Sequence, residues 1–250
     1  MAEPIPHRPP MSQDKLDTQP SYKLLSVIVP VYNERNTVTE ILRRMRLVEL
    51  PIDLEVIVVD DGSTDGTDRV LAALEDSTVR VLTHRTNQGK GSAVRTGLQT
   101  ARGDLVLIQD ADLEYDPSDW TRLLQPVLNG RAKVVYGSRY IGEREAVSLR
   151  RWMADRGLSA LASVLYNSAI SDMQTCFKLV DRQVLNSISL ASEHFDLEPE
   201  ITAKLLRAGH RIYEVPVSFS GRRRSEGRKY TWRDGVEAAA TLVRLRFTRR

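Results

Sequence analysis

Short apolar runs alternate with helical patterns through the first half of the chain. Four runs rich in β-branched residues are each long enough for one buried strand: 26–31, 55–59, 79–82 and 105–108. Helical spacing lies between them, at about 36–47, 67–74 and 89–101. This alternation predicts an α/β fold in which a doubly wound, mostly parallel sheet is flanked by helices on both faces.

The second half of the chain carries a weaker pattern. Strands are predicted at 134–136 and 212–217, with a helix at 197–207 that Gly209 ends. A helix at 156–170 is predicted from apolar side chains at helical spacing: Leu158, Leu161, Ala162, Leu165, Tyr166 and Ala169. A final helix is predicted from a second apolar face, with arginines around it: Val236, Ala239, Ala240, Val243 and Phe247.

The two ends differ in composition from the middle. Residues 1–22 hold five prolines and little apolar periodicity, which predicts a disordered leader before one domain at 23–231. Residues 222–250 contain ten Lys or Arg and three Asp or Glu, a charge of +7 within a chain of net charge +3. We therefore expect 232–250 to form a basic amphipathic helix that binds an anionic partner such as a membrane surface.

Composition argues against several classes of protein. Cys176 is the only cysteine, so an intramolecular disulfide is excluded, and a small buried side chain is favoured over a reactive thiol. No apolar window reaches the roughly 18 residues of a membrane span, and the first residues lack the apolar core of a signal peptide. Aromatic residues make up 6% of the chain, with no interleaved basic and aromatic stripe, so nucleic acid is not expected as a partner.

Polar clusters follow three of the four predicted strands of the first half. The clusters are Tyr32 to Glu34, Asp60 with Asp61, and Asp110 with Asp112. Parallel strands in an α/β sheet end at one edge, and ligands bind outside that edge. The sequence therefore predicts a ligand site where these clusters meet.

Two carboxylates in the third cluster suit a metal ion. Asp110 and Asp112 are two residues apart on a loop, with Glu114 close by, and Mg²⁺ or Mn²⁺ prefers such oxygen donors. A metal there would neutralise a diphosphate leaving group. Asp60 suits hydrogen bonds from a base or ribose, while 61–64 has the composition of a turn or helix cap.

Glycines around Lys90 have two interpretations. The phosphate-loop spacing requires glycine where His84 stands, and the dinucleotide spacing requires one where Val94 stands, so neither motif is present. A helix start with Lys90 can approach a phosphate, and close helix packing explains Gly89 and Gly91 equally well.

Five motifs in one order resemble glycosyltransferase family 2. They are SVIVPVYNE at 26–34, VVDDGSTD at 58–65, NQGKG at 87–91, DAD at 110–112 and GSR at 137–139. Within that family the chain is most similar to the polyprenyl-phosphate (dolichyl-phosphate) sugar synthases. The segments DMQTCFK at 172–178, FDLEPEI at 195–201 and RIYEVPV at 211–217 carry that closer resemblance.

The resemblance implies a GT-A fold and a role for particular residues. Residues around the nucleotide sugar would be Pro30, Tyr32, Glu34, Val58, Asp60, Asp110, Ala111 and Asp112. Asp112 would hold the metal, with Glu114 as a second ligand, and Asp112 and Arg139 would be the catalytic residues. Arg139 would contact the donor or the acceptor phosphate, and weaker phosphate contacts are implied for Arg151, Lys178 and Arg222. Cys176 stands where many relatives have glycine, which changes the local shape of the pocket.

The implied reaction is an inverting transfer of a hexose from a UDP- or GDP-linked donor to a polyprenyl phosphate. Sugar transfer to a hydroxyl normally requires a general base, and His84, His194 and His210 all lie at predicted element ends. A phosphate acceptor is already ionised, so positioning and charge stabilisation would suffice.

Other interpretations stay open at this stage. A soluble acceptor would require a base, and a non-catalytic nucleotide- or lipid-binding subunit would keep the fold without turnover. A sugar nucleotidyltransferase is disfavoured because the expected glycine-rich loop is replaced by residues 30–34. A lipid acceptor implies a cytoplasmic protein peripheral to the cytoplasmic face of the membrane, with a membrane-protein partner as a further expectation.

Overall fold

A seven-stranded sheet forms the centre of the computed structural model, which describes residues 22–141, 148–221 and 231–248. The strands lie in the order β3-β2-β1-β4-β6-β5-β7. They are β1 (Leu24–Val31), β2 (Asp53–Asp60), β3 (Val79–Thr83), β4 (Leu105–Ile108), β5 (Val134–Ser138), β6 (Lys178–Asp181) and β7 (Tyr213–Pro216).

Parallel pairing brings the ends of the first four strands to one edge. Val31 pairs with Asp60, Asp60 with Thr83, and Ile28 with Ile108. The side chains of β1 and β4 are almost all buried, as continuous apolar runs in a sheet covered on both faces should be. The predicted mostly parallel sheet is confirmed, and its carboxyl edge gathers the polar clusters.

One antiparallel strand was not predicted. β6 pairs antiparallel with both β4 and β5, while β5 and β7 are parallel. The strand has only four residues and begins with Lys178 and ends with Asp181, so it has no run of apolar residues long enough to be recognised. Its insertion places the turn at 173–177 beside the end of β4.

Eight helices are present in the described ranges. They are α1 (Val38–Arg46), α2 (Thr67–Ala72), α3 (Lys90–Thr100), α4 (Trp120–Leu128), α5 (Leu149–Tyr166), α6 (Arg182–Asn186), α7 (Leu197–Arg207) and α8 (Trp232–Phe247). Neither α4 nor the short α6 was predicted. α3 lies close to the sheet because a Cβ at Gly97 would be 2.5 Å from the Ile28 side chain.

The predicted bounds of α5 were wrong at both ends. The helix begins at Leu149, where the Ser148 side chain accepts a hydrogen bond from Arg151 N, and it ends before Asn167, whose φ is 51°. The expected start at 156 missed two turns because Leu149 and Met153 are exposed there and give no buried apolar stripe.

α8 packs on α5 and α7 mainly through side chains outside the predicted apolar face. Its buried side chains are Ala238, Thr241 and Leu242, and Tyr166 on α5 donates a hydrogen bond to Leu242 O at 2.7 Å. Val236 and Phe247, on the predicted face, are exposed. Among the described helices, none is both long and apolar enough to cross a bilayer.

The boundaries predicted for the two ends are only partly covered by the structure. Tyr22, assigned to the leader, is buried and donates a hydrogen bond from its hydroxyl to Asp181 at 2.9 Å. Residues 1–21, Arg222 and residues 249–250 lie outside the described ranges.

Candidate active site

A cavity of about 450 Å³ opens at the carboxyl edge of the sheet. Nine of the predicted site residues line it: Pro30, Tyr32, Glu34, Asp110, Ala111, Asp112, Glu114, Arg139 and Arg151. They come from the ends of β1, β4 and β5 and from the first turn of α5. Val58, Asp60 and Lys178 do not line the cavity, and Arg222 is not described.

Asp60 was expected to face the ligand and Asp61 to belong to a turn, but Asp61 lines the cavity and Asp60 does not. Asp61 lines the cavity, and its carboxylate is fixed by His84 at 2.7 Å and by the backbone N–H groups of Gln88 and Gly89. Asp60 is 1% exposed, and its Oδ1 accepts hydrogen bonds from Ser63. Within the described part of the chain, Asp60 Oδ2 is buried with no hydrogen-bond partner. An oxygen in that state favours a donor group brought by a ligand.

The loop after β4 holds its carboxylates in a strained backbone. Leu113 has a φ of 63°, a left-handed conformation that is rare for a branched side chain. Asp112 Oδ1 accepts a hydrogen bond from Glu114 N at 3.1 Å, and Glu114 lies 3.6 Å from Arg151 Nη2. The loop therefore presents Asp112 to the cavity while Glu114 is paired with an arginine.

The carboxylates of this loop fit a hard divalent cation. Their oxygens are the donors that Mg²⁺ and Mn²⁺ prefer. In the described ranges, no group of three or more Asp, Glu, His or Cys side chains is arranged to hold an ion. Mg²⁺ in proteins is often bound by one or two carboxylates together with the phosphates of a ligand, and Asp112 and Glu114 would supply those carboxylates here.

Lys90 joins two carboxylates of the cavity lining. Its ammonium group lies 2.8 Å from Asp110 Oδ1 and 2.8 Å from Glu198 Oε1. Burial disfavours the charged form, but the two carboxylates outweigh it and raise the pKa of Lys90 well above its usual value. The charged side chain of Lys90 links the first turn of α7 to Asp110.

Close packing accounts for the two glycines around Lys90. A Cβ at Gly89 would lie 2.2 Å from His194 Nδ1, and one at Gly91 would lie 2.4 Å from Ser192 O. Ser92 N donates a hydrogen bond to Glu193 O at 3.1 Å. The glycines let the 191–196 segment pack against the start of α3, which places His194 in the cavity lining.

Two arginines stand at the end of the cavity formed by β5 and α5. Arg139 is 6% exposed and makes a bidentate pair with Asp172, with both N–O distances 2.7 Å. Arg139 Nη2 is also 3.3 Å from Asp155. Arg151 lies between Glu114 and Asp155, at 3.6 and 3.8 Å.

Lys178 supports the cavity from behind and does not face it. Its ammonium group donates to the carbonyl oxygens of Met173 and Thr175 and lies over the Tyr136 ring. Burial lowers the pKa of Lys178 to about 8. A phosphate contact from this buried side chain is not compatible with the structure.

Cys176 comes from the same turn and reaches the cavity. It is buried, as predicted, and Cys176 N donates a hydrogen bond to the Tyr115 hydroxyl at 3.2 Å. Burial raises the pKa of its thiol, so the group is uncharged. Cys176 therefore places an uncharged thiol in the cavity wall.

Sequence reasoning missed two carboxylates of the lining, Asp155 and Glu198. Glu198 was within the quoted segment at 195–201, but no motif pointed to its pairing with Lys90. The only signal for Asp155 was its position four residues after Arg151 in a helix. Among the described residues the lining has seven carboxylates and three Lys or Arg, so an anionic ligand would require an added cation.

The family model named glycosyl transferase family 2 matches residues 26–189. Among curated proteins, the dolichol-phosphate mannosyltransferase of Pyrococcus furiosus is 29% identical over 209 residues, covering 82% of this chain and 58% of that protein. The undecaprenyl-phosphate 4-deoxy-4-formamido-L-arabinose transferase of Aeromonas hydrophila is 30% identical over 220 residues, with coverages of 82% and 63%. Glycosyltransferase AglD of Haloferax volcanii is 30% identical over 204 residues, with coverages of 78% and 33%. The chain therefore covers between 33% and 63% of the length of these relatives.

The fold is similar to that of solved glucosyl-3-phosphoglycerate synthase structures from Mycobacterium tuberculosis. A complex with Mn²⁺, UDP and phosphoglyceric acid has a TM-score of 0.70 at 23% identity, covering 98% of this chain and 86% of that chain. A complex with Mn²⁺ and UDP-glucose has a TM-score of 0.68 at 24% identity, with coverages of 96% and 84%. These likenesses and the sheet confirm the predicted GT-A type fold.

Proposed function

Because the chain belongs to glycosyl transferase family 2, we propose that it moves a hexose from a nucleotide-diphosphate sugar to a polyprenyl phosphate, with inversion and with a divalent metal. Two of the curated relatives are named as transferases that act with dolichol phosphate or undecaprenyl phosphate. The cavity is the proposed site of both substrates.

The nucleotide end of the donor is proposed to lie along β1 and the loops after β2 and β4. Pro30, Tyr32 and Glu34 line that wall. Asp60 pairs along the sheet with Val31 of the lining, and its Oδ2, which has no hydrogen-bond partner among the described residues, offers an acceptor beside this wall. Asp112, with Glu114, would hold Mg²⁺ or Mn²⁺, and the bound ion would offset the negative charge of the departing diphosphate. The Mn²⁺ complexes of the structural neighbours support this assignment.

The proposed acceptor site lies beside the exposed surface of α5. Arg151 lines the cavity, while Leu149, Trp152 and Met153 on the same two turns are exposed to solvent. A polyprenyl phosphate has the same division, with a dianionic head and an apolar chain. We propose that the head binds beside Arg151 and that the chain leaves the cavity along the exposed side chains.

The transfer as proposed does not require a general base. An ionised phosphate oxygen attacks the anomeric carbon, and the bond from that carbon to the diphosphate oxygen breaks. Two carboxylates in the lining already have cationic partners, since Glu198 contacts Lys90 and Asp155 contacts the arginines. The protein's contribution is then to align the two substrates and to offset repulsion between their phosphates.

A lipid acceptor requires that the protein reach a membrane. Of the eleven exposed large hydrophobic side chains in the described ranges, eight lie on α5 and α8, which pack on each other. Arg233, Arg244 and Arg246 on α8 add positive charge beside its apolar face. We propose that both helices rest on the anionic cytoplasmic face of the membrane. A membrane-protein partner would add to this attachment.

A soluble phosphate is the second candidate acceptor. The structural neighbours bind phosphoglyceric acid, and Arg139 with Arg151 would hold the phosphate of such a molecule equally well. A small acceptor that reacts through a hydroxyl would need one of the cavity carboxylates as its base.

The decisive experiment tests both acceptors in parallel reactions. Purified protein with Mn²⁺ or Mg²⁺ is incubated with a panel of UDP- and GDP-sugars and with either undecaprenyl phosphate or phosphoglyceric acid. Mass spectrometry of the organic and aqueous phases identifies the product. We expect a lipid-phosphate hexose that is absent with EDTA. A product formed only from phosphoglyceric acid would replace the lipid proposal, and nucleotide binding without any transfer would favour a non-catalytic subunit.

A further inference from the structure

One carboxylate on α5 contacts both arginines of the cavity. Asp155 Oδ2 lies 3.3 Å from Arg139 Nη2 and 3.8 Å from Arg151 Nε. It also accepts a hydrogen bond from the Tyr140 hydroxyl at 2.6 Å. Asp155 is 6% exposed and lines the cavity, so its charge acts in a region from which most water is excluded.

The two arginines depend on Asp155 to different degrees. Arg139 is held independently by its bidentate pair with Asp172. Arg151 is held by Asp155 and by Glu114, and Glu114 is the side chain proposed as a second metal ligand. If Glu114 turns to a metal ion, Asp155 is the carboxylate that keeps Arg151 in place.

The same two arginines also share one aromatic ring. The guanidinium carbons of Arg139 and Arg151 lie 5.2 and 4.8 Å from the centroid of Phe219. The next residue, Ser220, donates its N–H to Glu114 O at 2.9 Å, which ties this ring to the metal loop. Two cations are thus held close to each other at a fixed distance from the loop that carries Asp112.

We propose that Asp155 is a positioning residue that holds Arg139 and Arg151 together over Phe219 as one binding site for the acceptor phosphate. This inference rests on the proposed function. Two guanidinium groups in a partly buried site repel each other, and a carboxylate that contacts both offsets the repulsion before the acceptor arrives. A preformed pair then binds a phosphate without having to be reorganised.

The test compares Asp155→Asn with Tyr140→Phe. Asparagine keeps the size of the side chain and the acceptor for Tyr140 but removes the charge. Phenylalanine removes the hydroxyl that donates to Asp155 and leaves both arginine contacts intact. With undecaprenyl phosphate as acceptor, we expect Asp155→Asn to raise the acceptor KM about tenfold or more, which corresponds to about 1.4 kcal/mol. The donor KM and kcat should change less than about twofold, and Tyr140→Phe should stay near wild type.

Three kinetic results would overturn the inference. A collapse of kcat with an unchanged acceptor KM, together with loss of the acidic limb of the pH profile, would make Asp155 a general base. Equal effects of Asp155→Asn on the KM of donor and acceptor would indicate a general structural role. An acceptor KM that does not change would exclude any role in holding the phosphate.

A measurement without an acceptor separates this inference from the proposed function. In ¹⁵N NMR spectra of the arginine side chains, the Nε–H of Arg139 and Arg151 should be ordered in the wild-type protein. Asp155→Asn should shift and broaden the Arg151 signal while the Arg139 signal, held by Asp172, persists. An unchanged Arg151 signal contradicts the positioning role even if no acceptor is turned over. A changed signal in a protein without transferase activity would leave the positioning role standing and refute the proposed function.

Discussion

At the scale of single residues, hydrogen-bond partners decide which carboxylates are available to a ligand. Asp61 is satisfied by His84 and by two backbone N–H groups, whereas Asp60 has one buried oxygen without a partner in the described structure. Asp110 is paired with Lys90. Asp112 lines the cavity on the loop after β4 and accepts a hydrogen bond from Glu114 N, while Glu114 is shared with Arg151.

Replacing Asp112 by Asn should test the metal site directly. The amide lacks the negative charge that attracts a divalent ion, so kcat should fall by about 10²–10³ in saturating Mn²⁺. Steady-state transfer assays measure this. Asp116→Asn is the matched control, because Asp116 lies on the same loop and caps Ser118 N at 2.9 Å, a role that Asn also fills. Turnover of Asp112→Asn near the wild-type level with saturating metal would refute the assigned role.

Two helical glycines should respond to alanine in opposite directions. In Gly91→Ala the new Cβ would meet Ser192 O at 2.4 Å, so unfolding free energy should fall by about 1–3 kcal/mol. In Gly157→Ala, on α5, no described atom beyond the neighbouring helix backbone lies within 4 Å of the new Cβ, and the free energy should rise by about 0.5–1 kcal/mol. Denaturant unfolding curves measure both. A tolerated alanine at 91 would mean that the 191–196 segment is not packed against α3.

At the scale of elements, apolar periodicity predicted the regular alternation of the first half of the chain. From β1 to β4 and from α1 to α3, each element begins and ends within a few residues of its predicted bounds, and so does α7. The start of α5 was missed because its first two turns keep their apolar side chains exposed, and β6 because four residues bounded by Lys178 and Asp181 show no pattern. The candidate site was likewise predicted only in part. Strand-end clusters predicted its acidic wall, but the pairing of Asp155 with two arginines depends on packing between distant elements.

The exposed face of α8 should bind membranes. Trp232, Val236, Ala240, Val243 and Phe247 are spaced to form one stripe, and Trp232 and Phe247 are both 75% exposed. Trp232→Ser with Phe247→Ser should weaken binding to anionic liposomes about tenfold or more and leave the melting temperature unchanged. Sedimentation measures the binding. Leu47→Ser, at another exposed side chain, is the control and should bind as the wild-type protein does. If the double variant binds liposomes as strongly as the wild-type protein does, the exposed stripe does not bind membranes.

At the scale of the whole molecule, part of the candidate site is held in place by a buried side chain that does not line the cavity. The turn at 173–177 carries Gln174 and Cys176 into the cavity, and its carbonyl groups are held by the ammonium group of Lys178, which is 1% exposed. Burial of this ammonium group among carbonyl oxygens destabilises the folded protein in its charged form. These hydrogen bonds therefore shape the cavity, but the burial of Lys178 lowers the free energy of unfolding.

The destabilisation caused by burying Lys178 should appear as a pH dependence of the free energy of unfolding. The pKa of Lys178 is about 8 in the folded protein and about 10.4 in an unfolded chain. Between these values the unfolded state binds the proton and the folded state does not, so stability rises with pH. Relative to Lys178→Met, the wild-type protein should gain free energy of unfolding on the order of 3 kcal/mol from below pH 8 to above pH 10.4. Denaturant curves across this range measure the difference, in which titrations shared by both proteins cancel. If the unfolding free energies of the two proteins depend on pH in the same way, Lys178 keeps its proton in the folded state over this range. The surrounding carbonyl groups would then hold a full positive charge throughout the range.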